Sequence, residues 1–153
     1  MCFVLYAGTE KALKLRSWQE TKPDLSVESL TERDQPIKVH FSKPEVQHIG
    51  STAGCGCDFP HVTLQDGEWL TFEDDEVDTE QEEKKKYNRK ALVCLLQESG
   101  ERTVELYGVW DGDFDKFPKT TEDIPLQRIL DPDFLFKEQG LYRVKIDNQP
   151  EKI

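Results

Sequence analysis

The chain has 153 residues, of which 36% are hydrophobic and 33% charged, a length and composition that predict one domain over residues 1–153. Its 20 basic against 31 acidic residues give a net charge of -11. That charge argues against nucleic acid and anionic membrane as partners, since both attract cationic surface, and favours a basic protein partner if any. No apolar run approaches the ~18–20 residues of a bilayer span. The opening MCFVLYAG lacks the basic start of a signal peptide, so a cytoplasmic location with reduced thiols is the expectation.

In chain order, Cys2–Ala7 and Ile37–Phe41 read as strands. Ser42-Lys43-Pro44-Glu45 reads either as a turn between strands or as the capping box of a short helix ending at Gly50. Trp69–Phe72 is a further strand candidate. Eight carboxylates crowd Glu73 to Glu83 with no base among them, and Lys84, Lys85, Lys86, Arg89 and Lys90 follow. Acid then base is the order a helix dipole favours. Thr79 and Glu82 fit a capping box with Asp78 as an alternative cap, Glu80–Lys84 and Glu82–Lys86 are i,i+4 pairs, and Gly100 stands where a C′ glycine belongs.

A principal helix over about 79–98 follows, with Tyr87, Ala91, Cys94 and Leu95 on its apolar face and Leu92 and Leu96 beside them. Thr103–Trp110 and Leu141–Ile146 alternate with a period of two and read as strands, while Pro125 and Pro132 break 124–136 into short pieces. The predicted class is α+β: a mainly antiparallel or mixed sheet of short strands packed against that one helix. Strands and helices do not alternate, which disfavours a doubly wound parallel sheet.

The chemistry-bearing residues concentrate in His48–His61, HIGSTAGCGCDFPH. All three histidines (His40, His48 and His61) lie between positions 40 and 61, together with Cys55 and Cys57. Thiolate and imidazole are zinc's preferred ligands, and Gly50, Gly54 and Gly56 would let the loop fold around an ion. The expected metal ligands are Cys55, Cys57, His61 and His48, with His40 or Cys2 as substitutes and zinc as the ion.

The alternative is thiol chemistry, enzymatic or redox, with Cys57 or Cys2 as the reacting sulfur and His61 as base. A Cys-x-Cys disulfide would be strained and labile. However, no Lys or Arg lies between Lys43 and Lys84 to lower a thiol pKa, which ranks this reading below metal. The opening Met1-Cys2-x-x-Leu5-x-Ala7 resembles the start of the N-terminal-cysteine amidohydrolases over those residues alone. That resemblance implies Cys2 as nucleophile, its α-amine as base, and a four-layer fold.

Asp111, Asp113, Asp115 and Glu122 have the spacing of calcium-loop ligands, but Lys116 replaces the turn glycine and Pro118 follows, so an acidic turn is the expectation. The glycines match no phosphate-binding pattern. A third class, a non-catalytic acidic interaction module, needs none of these residues.

Overall fold

The computed structural model describes residues 2–21, 24–65, 68–70 and 79–146. The strands are β1 (Phe3–Thr9), β2 (Ser26–Ser29), β3 (Glu45–Gly50), β4 (His61–Gln65), β5 (Glu68–Leu70), β6 (Thr103–Trp110), β7 (Thr120–Pro125), β8 (Phe136–Lys137) and β9 (Gly140–Lys145). The one α-helix described is α1 (Thr79–Glu98). Six strands form a mixed sheet in the order β2-β3-β1-β6-β9-β7, and three more form a small sheet in the order β5-β4-β8. The six-stranded sheet is antiparallel except at its β7–β9 edge. This is the predicted α+β class, a mixed sheet of short strands packed with one main helix.

β1 lies third in the sheet order, and all seven of its residues are buried. The pleat sends Phe3, Leu5 and Ala7 to one face and Val4 and Tyr6 to the other. The first face meets Leu92, Leu95 and Leu96 of α1 together with Phe59, Phe134 and Phe136. The second face is closed by Ile37, Val46 and Phe114, with the partly buried Leu30 and Phe41. Coverage on both faces explains why β1 reads as a continuous apolar run rather than an alternating one.

The Phe3 ring lies in the space Gly108 leaves open on the neighbouring strand: a Cβ there would clash with the Cζ end of the ring. The α1 stripe that meets the sheet is Asn88, Leu92 and Leu96, flanked by Arg89, Val93 and Leu95. Gly100 has φ 76° and ends the helix as expected.

Several expectations are corrected. Ile37–Phe41 is not a strand: Gln35–His40 is a 3-10 helix, because Pro36 fixes φ at its start and Ile37 and Phe41 N–H donate to the carbonyls of Asp34 and Lys38. Of the two readings of 42–50, the helix fails. Ser42 gives its N–H and hydroxyl to the buried Glu105 on β6, which anchors a turn into β3. The apolar face of α1 is rotated from the predicted one, so Tyr87 is 51% exposed and Cys94 is exposed, both flanking a groove beside Arg16 and Asp24.

The acidic residues at 111–122 form no ligand ring: Asp111 pairs with Arg33 at 2.7 Å, Asp113 with Lys116 at 3.4 Å and Glu122 with Lys137 at 3.1 Å. The described residues do not form the four-layer architecture of the amidohydrolases. The acidic run at 71–78, Asp78 as a cap and the end of the 69–72 strand lie outside the described residues. No helix among those described is long and apolar enough to cross a membrane.

The Gly108–Phe3 fit yields a stability prediction. Gly108→Ala should displace the ring and destabilise the fold by about 1–3 kcal/mol. In urea unfolding this should appear as a lower midpoint with little change in slope.

Candidate metal centre

The segment after β3 turns tightly and comes back against β1. Ser51 is fully buried and organises the turn. Its N–H and hydroxyl donate to the Cys55 carbonyl, its own carbonyl accepts from Gly54 N–H at 2.9 Å, and its Oγ accepts from Ala53 N–H at 3.2 Å. Gly56 N–H then donates to the Phe3 carbonyl at 2.9 Å, and Phe59 N–H donates to the Gly56 carbonyl at 3.0 Å. A Cβ at Gly56 would stand 2.6 Å from the Phe3 oxygen, so only glycine allows this approach.

Two further groups brace the loop. The buried Asn88 of α1 accepts from Thr52 N–H at 3.0 Å and donates to Thr52 Oγ1 at 3.0 Å, while Trp18 Nε1 donates to the Thr52 carbonyl at 2.9 Å. On the β1 side, Asp111 N–H donates to the Cys2 carbonyl at 2.7 Å and fixes the backbone just before the strand.

The docking brings three sulfurs together. The thiols of Cys2, Cys55 and Cys57 all lie within 4.8 Å of one another, a group that could hold a metal ion. Cys2 and Cys55 are half-buried and Cys57 is exposed, so the group opens to solvent on one side. The Cys57 thiol is pushed up to about 12 by desolvation first, then by a hydrogen bond with Cys55, with the Phe3 backbone opposing. The strongest influences on it include no cation. At neutral pH the Cys57 sulfur is therefore a protonated thiol, not an activated nucleophile.

The expected ligands divide. Cys55 and Cys57 converge, and Cys2 is the sulfur that joins them. His61 stands in the same corner but outside the 4.8 Å group. Its ring stacks on Phe3 at 4.4 Å between centroids, meets Trp110 edge-on at 6.1 Å, and its Nδ1–H donates to the Phe59 carbonyl at 2.7 Å. A carbonyl can only accept, so the proton sits on Nδ1 and Nε2 keeps its lone pair.

His48 is paired with Tyr6 across β1 and β3, its ring 5.5 Å from Tyr6, with Glu28 3.5 Å away. Directly opposed residues share a face, so His48 lies on the opposite side of the sheet from Phe3 and its stacked His61. His40 is buried on that far side as well: its Nε2–H donates to the Phe114 carbonyl at 2.9 Å, and its ring lies against Tyr107. Cys94 is a free, exposed thiol on α1, apart from the cluster.

The supports of the loop were invisible in sequence. Ser51, Trp18 and Asn88 act through tertiary hydrogen bonds that no local pattern announces. The usable signal was composition: two thiols flanking a glycine, within a stretch otherwise rich in small residues. Comparisons with protein families, with curated proteins and with solved structures find no match to this chain.

Burial, ahead of the nearby Lys85 charge, lowers the His61 pKa below its ordinary 6.5. In metal-free protein the unfolded state then takes up a proton near pH 6.5 that the folded state refuses, so stability is full above that pH and falls as pH drops below it. His61→Phe, which keeps an aromatic ring on Phe3, should flatten this slope. Urea unfolding in chelator at pH 7.5 and 5.5 measures it. A second prediction concerns the close approach: Gly56→Ala should separate the loop from β1, and thiol labelling should show Cys2 and Cys55 reacting faster than in the parent protein.

Proposed function

We propose that this protein binds a transition metal, zinc foremost, through Cys2, Cys55 and Cys57, with His61 Nε2 as fourth donor. The observation that carries the reading is the mutual approach of three sulfurs from two chain segments. Three thiolates and one imidazole form a donor set of the kind structural zinc sites use, at roughly 2.0–2.3 Å from the ion. His61 would have to turn its ring to reach the trio. Its Nδ1–H already donates to a backbone carbonyl, the contact that commonly leaves Nε2 as the ligating atom. Binding would exchange the thiol protons for the ion, and the neutral imidazole has no proton on Nε2 to lose.

The thiol-enzyme alternative has less support: burial raises the Cys57 thiol, and it holds His61 neutral rather than as an imidazolium beside a thiolate.

Elemental analysis of protein purified without chelator is the test. About one zinc per chain is expected. Chelation should remove it and lower Tm, because an ion held at 100 times its Kd adds about 2.7 kcal/mol and each kcal/mol is worth roughly 2–4 °C at this size. Cys2→Ser, Cys55→Ser and Cys57→Ser should each lose the ion, and Cys94→Ser should keep it. A protein whose Tm and thiol reactivity ignore both zinc and chelator overturns the reading.

A further inference from the structure

Three converging sulfurs suit an ion that asks for three ligands. We infer that the Cys2, Cys55 and Cys57 group binds trivalent arsenic, taken from solution as arsenious acid. This rests on reading the three thiols as one ligand group and goes beyond it in naming the ligand's class: a three-coordinate, thiol-seeking trivalent oxyacid.

The donor count is the first argument. Among the described residues, no further His, Cys, Asp or Glu atom shares the 4.8 Å group. A tetrahedral ion must therefore recruit His61 by turning its ring out of the stack on Phe3. A pyramidal trivalent centre needs only the three sulfurs already assembled. Soft thiolate ligands select soft ions, which favours arsenic over hard cations here.

Charge is the second argument. A divalent ion on three thiolates leaves one uncompensated negative charge in a half-buried place, inside a chain of net charge -11. Trivalent arsenic on three thiolates is neutral, so the complex carries no unpaired charge into the partly desolvated corner.

The site is also preorganised. Asp111 N–H holds Cys2, and Gly56 N–H holds the loop against Phe3, so ligation orders little that is not already ordered. Exposed Cys57 offers the entry point.

The step balances without any oxidant. Arsenious acid carries three hydroxyls. Each thiol attacks arsenic, one As–S bond forms as one As–O bond breaks, and the thiol proton leaves with the hydroxide as water. Three thiols release three waters, and arsenic stays trivalent.

The experiment uses chelator-treated full-length protein, arsenite as the probe, and intact mass spectrometry. The expected product gains one arsenic and loses three hydrogens, and alkylation afterwards modifies Cys94 alone. Cys94→Ser should bind as the parent does. Each of Cys2→Ser, Cys55→Ser and Cys57→Ser should retain arsenic at most on two sulfurs, with affinity lower by roughly 10-fold or more because one arm of the chelate is gone. Far-UV circular dichroism checks that each variant folds, and the alkylation pattern of the unmutated protein tests the ligand set without any variant.

His61→Phe separates this inference from the zinc reading. It should weaken zinc and leave arsenic binding unchanged. Zinc binding without a three-sulfur arsenic adduct would overturn the inference and spare the metal reading. An arsenic adduct on Cys94, or on only two sulfurs of the unmutated protein, would overturn it directly.

Discussion

One backbone hydrogen bond sets the geometry on which the site depends: Gly56 N–H to the Phe3 carbonyl. It joins a loop between β3 and β4 to the first residue of β1, a strand deep in the sheet. On either side of Gly56 stand Cys55 and Cys57, and immediately before Phe3 stands Cys2. The bond therefore sets the sulfur–sulfur distances by controlling two short stretches of backbone. Such a contact has little tolerance, because the missing Cβ is what lets the two chains meet.

Phe3 serves both faces of this arrangement. Its carbonyl receives the loop, and its ring lies over Gly108 and stacks with His61. β1 is held by β3 on one side and β6 on the other, and its buried faces pack against α1 below and the 3-10 helix at 35–40 above. The cysteine beside Phe3 is thus carried by one of the most firmly held parts of the fold. The two loop cysteines borrow rigidity from Ser51 inside the turn and from Asn88 on α1.

What the sequence disclosed follows from which forces are local. The acidic first turn of α1, the Gly100 stop and strands such as Thr103–Trp110 rest on dipole preference, backbone freedom and side-chain alternation, all readable within a dozen residues. Failures came where long-range contacts decided. Ile37–Phe41 looked like a strand, but Pro36 starts a tight helical turn there and Ile37 covers Tyr6 and Tyr107 from it. Tyr87 and Cys94 looked like core residues, yet the polar Asn88 took the inward stripe because Thr52 offers it partners. The same holds for the site. Cys55 and Cys57 were legible as a pair, whereas their third sulfur came from the far end of the sequence. His48, close in sequence, was carried to the other face of the sheet by the pleat of β3.

The cysteine trio spans a separation of more than fifty positions along the chain. A group assembled from such distant stretches has no existence in the unfolded polymer, and anything gripping all three sulfurs also staples the leading strand to the loop that closes over it. Occupancy would therefore act as a clasp on the seam between β1 and the segment leading into β4. Opening that seam would scatter the sulfurs, so their shared state reports on the integrity of the sheet's interior strand.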